Sequence, residues 1–363
     1  MEEIEDLDLE GGDDTTQSEE ELHALLEVVD ELIAEGKLGR SVDILDGAER
    51  RFSADKESQL YVKFLLKKAQ LFVTRARWNE ARDYFDIAAE IVNRHENESV
   101  EWKKFAQEIY LGIGKMSWRL GDYELAEDFI VRAISYSEQD DLKVGKGYIE
   151  LGNIKGEKGD MEASIENYRK AIGVLEKIGE KDELTRALNN ISDSYYKMDN
   201  FEKSVEYADK CIALAKEIGN QRYLGFGYMT GGEALIKMGE VEKSKEYFQN
   251  SQDIFWDTDD AYVHGCLFTL LGMIDTEVDS YKEAREAFEK ARDYLEQTDI
   301  RYYLARVYHE YGTLEEKQGH YSDAKDLYEK SLDILTHDKC LQEAQEVQQH
   351  LKKMKEREEK EEE

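Results

Sequence analysis

The chain of 363 residues contains no proline. Nothing in it pins a backbone angle or removes an amide donor, so helices can follow one another without forced kinks. Cysteine is scarce: Cys211, Cys266 and Cys340 lie far apart and form no C-x-x-C pair. That excludes a disulfide framework and a thiol redox motif. It fits packing thiols in a reducing compartment, and a cytoplasmic location is expected. No apolar run approaches the roughly 20 residues of a membrane span. The amino-terminal "MEEIEDLDLEGGDD" is acidic where a secretory signal would be basic. Basic residues are a minority, 49 Lys and Arg against 83 Asp and Glu, for a formal net charge of −34. Such a surface repels phosphate backbones and anionic lipid, so neither nucleic acid nor a membrane is an expected partner.

Enzymatic signatures are missing too. The sequence holds no G-x-S-x-G, no H-E-x-x-H and no G-x-x-x-x-G-K-[ST]. His337 and Cys340 stand three apart on one helix face. They would give two ligands where structural zinc takes four. We therefore expect no catalytic residue, cofactor or metal.

What the chain does have is one pattern restated. A small residue stands at Ser41, Ala81, Ala126, Ser164, Ser204, Ser244, Ala284 and Ala324, at spacings of 40, 45, 38 and then 40 throughout. Twelve positions before it stand Val29, Ala69, Gly114, Gly152, Ser192, Gly232, Gly272 and Gly312, all small except Val29. Four after it stand Leu45, Phe85, Ile130, Tyr168, Ala208, Phe248, Phe288 and Tyr328. Seven after it the residue is small again, from Ala48 to Ser331. Spacing of i, i+4 and i+7 places these on one helix face. Between the two helices of each unit fall Gly36, Gly121, Gly159, Gly239 and Gly319, with Asp199 and Asp279 at equivalent places. A second break falls at Gly179, Gly219, Asp259 and Asp299. Each unit reads as two antiparallel helices, and one such hairpin cannot bury its apolar face without a neighbour. "GNIKGEKGD" belongs to this pattern, its glycines serving packing and turns rather than a phosphate loop.

These positions resemble the tetratricopeptide repeat, over eight units spanning residues 22–344. The resemblance implies an all-α fold, a right-handed superhelical α-solenoid of about eight helix-turn-helix repeats. It also implies that the first helix of each unit lines a concave groove. Two departures stand out: the units are longer than usual, and no proline closes the second helix. The position twelve after the anchor holds Ser53, Asn93, Glu138, Glu176, Lys216, Trp256, Glu296 and Thr336, so longer second helices are expected. The 45-residue spacing predicts a longer loop or helix extension near "HENESVEWKK". Residues 1–21, with eleven acidic residues and no Lys or Arg, read as a disordered acidic tail. Residues 345–363 read as a polar capping helix with a charged end.

In this register the groove positions of repeats 2 to 5 carry Lys63, Lys67, Lys115, Arg119, Lys146 and Arg186, joined by Asn153, Asn189 and Asn190. Lys and Arg would hold carboxylates of a ligand, and Asn amides can pair with an extended peptide backbone. An apolar row runs Ile33, Val73, Trp118, Tyr196 and Ile236, with Trp118 and Tyr196 flanking a gap at Gly156. Of five positions that hold a terminal carboxylate in chaperone-adaptor relatives, Asn153 and Asn190 match while Ile149, Phe226 and Thr230 do not, so no such clamp is predicted. The expected function is a protein–protein interaction scaffold or adaptor that binds an acidic partner segment. The alternative is a regulatory sensor whose groove takes a signalling peptide or small effector. The acidic tail is expected to compete for the same groove.

Overall fold

A computed structural model describes residues 15–34, 36–52, 55–75, 77–95, 97–137, 141–298, 300–337 and 341–362. Among these residues there are seventeen α-helices and no strand. The chain divides into two compact units after residue 138. Unit 1 holds three hairpins: α1 (Thr15–Ala34) with α2 (Leu38–Phe52), α3 (Gln59–Thr74) with α4 (Trp78–His95), and α5 (Val100–Arg119) with α6 (Tyr123–Ser135). Unit 2 holds five: α7 (Leu142–Glu157) with α8 (Met161–Ile178), α9 (Lys181–Lys197) with α10 (Phe201–Ile218), α11 (Gln221–Lys237) with α12 (Val241–Phe255), α13 (Ala261–Glu277) with α14 (Tyr281–Leu295), and α15 (Arg301–Lys317) with α16 (Tyr321–His337). A final helix, α17 (Leu341–Glu362), packs on α16 through Ala344, Val347 and Met354.

The repeated small residues are where the helices meet. All eight anchors, Ser41 to Ala324, are fully buried. Opposite them, glycines make room for large neighbours. A Cβ on Gly152 would sit 2.5 Å from the Tyr168 ring, and one on Gly272 would sit 2.7 Å from that of Phe288. In the hairpin of α9 and α10 the pair is instead Ser192 and Ala208, both small and both fully buried. The buried serines do more than fill space. Ser164 Oγ donates to the Gly152 carbonyl at 2.8 Å and Ser244 Oγ to that of Gly232 at 2.8 Å, tying the helices of a hairpin together. The hairpin turns lie in the left-handed region at every glycine expected there, and Asp199 and Asp279 take it with φ of 55° and 59°. A short polar side chain is the cheapest non-glycine choice for that conformation.

Several sequence expectations change. Residues 15–21 are helical and open α1, and residues 1–14 lie outside the described residues. Second helices are not uniformly long. α8 and α10 run past the twelfth position to left-handed Gly179 and Gly219, whereas α12 and α14 stop one residue short of it. The longer spacing goes into α5, at 20 residues against 17 for α9. No helix among the described residues is long and apolar enough to cross a membrane.

Candidate functional site

The first helices of the unit 2 hairpins carry the site. Side-chain caps fix where α11 and α13 begin: Tyr223 N–H donates to Asn220 Oδ1 at 3.2 Å and Val263 N–H to Asp260 Oδ1 at 3.3 Å. From there, helical spacing lines up Arg222, Phe226, Thr230 and Glu233 on α11, and Tyr262 and Cys266 on α13. With Asn189, Asn190 and Asp193 of α9 and Tyr303 and Arg306 of α15, they enclose a cavity of about 220 Å³. Four aromatic rings stand in its wall, those of Tyr223, Phe226, Tyr262 and Tyr303. Tyr262 and Tyr303 meet edge to face at 4.9 Å, and the Arg222 guanidinium lies over the Phe226 ring at 5.4 Å. Its polar groups converge, and Asn189 Oδ1 is buried with no hydrogen-bond partner.

Charged side chains join helices that are not neighbours in the array. Arg306 on α15 donates to Glu233 on α11 at 3.0 Å, and Lys237 on α11 to Glu310 on α15 at 2.7 Å. Lys197 at the end of α9 pairs with Asp193 at 3.0 Å and lies over the Tyr302 ring at 4.8 Å. Burial works against the Arg306 cation, but the Glu233 carboxylate holds the guanidinium further into its charged range. Burial pushes the Glu233 carboxyl up, and Arg306 pulls it back. Burial also pushes the Tyr196 phenol up to about 12 and lowers the His309 imidazole to about 4. A second cavity of about 100 Å³ lies on the other side of Arg306, between α9, α11, α15 and α17.

The residues singled out from sequence divide between the units. In unit 1, Lys63 and Lys115 are half-buried, and Lys67 donates to Asp30 at 2.5 Å. Arg119 is exposed and stacks over Trp118 at 4.8 Å and Trp78 at 5.7 Å. In unit 2, Asn189 and Asn190 line the larger cavity and Tyr196 the smaller. Asn153 receives Nδ2 of Asn190 at 3.0 Å and the Tyr168 hydroxyl at 2.6 Å. Lys146 pairs with Glu183 at 3.3 Å, and Arg186 with Glu183 at 2.7 Å and Glu150 at 3.1 Å.

The strip of available cations is thereby corrected: Lys67, Lys146 and Arg186 are already matched inside the chain. In a protein with 83 acidic residues, a carboxylate is at hand for almost any groove cation. Missed from sequence were Glu233, Lys237, Arg306 and Glu310. They occupy the same groove register in repeats 6 and 8 that marked Lys63 to Arg186 earlier. The signal was there, but their opposite charges make no strip.

Nothing nucleophilic emerges. Cys211 and Cys266 are buried, and burial pushes both thiols up, Cys211 to about 12. Cys340 lies outside the described residues, and His337 Nδ1 is within 3.1 Å of an Arg301 nitrogen. Glu315, His320 and Asp323 come close enough to share a metal, but Arg285 holds Glu315 through two hydrogen bonds of 2.9 and 2.8 Å. A guanidinium there competes with any cation, so the group reads as an ion-pair network.

Residues 144–217 and 263–337 match one tetratricopeptide repeat model, and residues 107–140 match another. A search of curated protein sequences finds no significant match. Solved structures resemble the chain along most of its length. A Rap protein complexed with competence and sporulation factor has a TM-score of 0.57 at 16% identity, covering 93% of this chain and 98% of that one. A Rap conjugation gene regulator in complex with a Phr peptide gives 0.61 at 12% identity, covering 89% and 97%. The apo quorum sensor NprR from B. thuringiensis gives 0.58 at 12% identity, covering 93% and 99%. At such identities the likeness is one of fold. The matched repeat segments together take up just over half of the 363 residues, and with the hairpins seen throughout, the chain belongs to the tetratricopeptide repeat family.

Proposed function

We propose that this protein binds an extended peptide segment of a partner along α9, α11, α13 and α15 and acts as an interaction scaffold. The observation that carries the reading is the unpaired, buried Asn189 Oδ1 at a cavity of about 220 Å³. A buried amide left unsatisfied costs about 1 to 3 kcal/mol, which a ligand backbone N–H would recover. Asn190 adds a second amide, and the rings of Phe226 and Tyr262 offer a surface to a ligand side chain. Arg222 is exposed at the cavity and would take an acidic residue of the ligand. A groove formed in advance spares the protein's share of the ordering cost. The activity is binding rather than catalysis, and the setting we propose is the cytoplasm.

A second reading, a sensor that responds to a signalling peptide, is favoured by the similar structures, which include a quorum sensor and two peptide or factor complexes. Both readings use the same groove. The test is affinity selection from a randomised synthetic peptide library, followed by calorimetry on the selected peptides with wild type and Asn189→Ala/Asn190→Ala. A loss of at least tenfold in the variant is expected. Failure of wild type to select any peptide, or equal affinity in the variant, would refute the groove.

A further inference from the structure

The smaller cavity, of about 100 Å³, shares Arg306 with the larger one. Three cations stand in its wall, and each is already matched: Arg306 by Glu233 at 3.0 Å, Lys237 by Glu310 at 2.7 Å and Lys197 by Asp193 at 3.0 Å. Three further carboxylates line the same cavity, Asp199, Glu343 and Glu346. None has an ion-pair partner among the described residues. Glu343 accepts only the Tyr302 hydroxyl, at 3.2 Å. The wall therefore carries three carboxylates with no direct cation partner among the described residues, although Lys237 and His350 act on Glu346 from a distance. Partial burial together with the charges of Asp199 and Glu310 pushes the Glu346 carboxyl above its ordinary range. Like charges held this close repel, and a cation between them removes that repulsion.

A second observation points the same way. His309 lines this cavity, and its Nε2 is buried with no hydrogen-bond partner. A neutral imidazole offers a lone pair on one ring nitrogen, so it can accept a hydrogen bond but adds no positive charge. Carboxylates and a neutral imidazole make an acceptor-rich wall, suited to a group that only donates. Guanidinium and ammonium are such groups.

We propose that this cavity is a cation subsite, taking a guanidinium or ammonium group of the ligand, with Asp199, Glu343 and Glu346 as charge partners and His309 as neutral acceptor. It rests on the peptide reading of the adjoining cavity, and it gives the ligand a polarity. An acidic residue lies toward Arg222 and a basic side chain or amino terminus lies beyond Arg306.

The experiment titrates two probes into the full chain: N-acetyl-arginine amide, which offers only a guanidinium, and glycinamide, which offers only an α-ammonium. The His309 ring resonance is followed by NMR in wild type and in Asp199→Asn/Glu346→Gln. Asn tolerates the left-handed backbone at 199, so this variant keeps the turn. A saturable shift with at least one probe is expected, weakened at least tenfold in the variant. The probe that saturates identifies the source of the cation. The variant should be at least as stable as wild type to urea, because it removes repelling charges. No saturable shift, equal affinity in the variant, or a destabilised variant would each overturn the subsite. The peptide selection described above separates the two ideas. Probes that bind while no peptide is selected leave the subsite standing and the groove reading refuted. Selected peptides without a basic group, with probes that fail, refute the subsite alone.

Discussion

Arg306 on α15 and Glu233 on α11 meet at 3.0 Å although 73 residues separate them in the chain. Both side chains are largely buried, at 13% and 7% exposure. The Arg306 guanidinium also lies over the Tyr196 ring at 5.1 Å, so one side chain joins α15 to α11 and α9. Removing one member of such a pair strands the other charge. Arg306→Met should cost about 3 to 5 kcal/mol, while Arg306→Met with Glu233→Leu should be near neutral. Urea unfolding of the two variants checks this. If the single variant lies within 1 kcal/mol of wild type, as a rough threshold set by the smaller values for exposed pairs, the pair does not hold α15 to α11.

The glycines of the repeat are not equivalent. At Gly152 a Cβ would press on the Tyr168 ring at 2.5 Å, whereas at Gly156 the nearest atom is Ser164 Oγ at 3.5 Å, an ordinary contact. Gly152→Ala should destabilise by about 1 to 3 kcal/mol through overpacking. Gly156→Ala should be tolerated or stabilise by up to about 1 kcal/mol, since alanine is the better helix former. Thermal melts of the two variants decide, and a reversed order would refute the packing account.

His309 gives the acid limb a specific cause. Burial lowers its imidazole to about 4, from 6.5 in an unfolded chain. Glu310 opposes that shift, while Lys237, His350 and Arg306 reinforce it. As pH falls, the unfolded chain takes up the proton first. Stability from a neutral His309 is therefore complete above about 6.5 and is lost progressively toward 4, by up to about 3 kcal/mol. His309→Gln should flatten this part of the profile relative to wild type. Parallel profiles from pH 7 to 4 would show that His309 titrates normally.

The acidic segment 1–14 is expected to compete with the ligand for groove cations, since it is tethered and of opposite sign. Its deletion should tighten binding of a selected peptide several-fold at low salt, with the difference shrinking as salt is added. Identical affinity and salt dependence in calorimetry would dismiss the competition.

Much of the architecture was legible in the residues. The hairpin turns at Gly159, Asp199, Gly239, Asp279 and Gly319 are local, because only a few residue types take a left-handed backbone cheaply. The anchors from Ser41 to Ala324 were legible as well, because a close helix crossing excludes bulk whatever lies elsewhere. Where the reading failed, distance was the reason. Residues 15–21 look like acidic tail by composition, but the burial of Leu22, Leu25 and Leu26 just beyond them anchors α1 in the hydrophobic core. Helical periodicity put Lys146 and Arg186 in one register. It could not show that Glu183 and Glu150 would reach them.

The sequence by itself determined that this is an array of helical hairpins and where small residues let the helices of each hairpin cross closely. Both follow from short-range periodicity and turn chemistry. Only the tertiary structure decided which charges meet. In unit 2 the successive rotations of the hairpins bring α15 back to α11 and α9, pairing Arg306 with Glu233 and Lys237 with Glu310. Asp199, Glu343 and Glu346 are left around one cavity without a direct ion-pair partner among the described residues. Small rotations summed over many residues set that closure, and no local pattern encodes the sum.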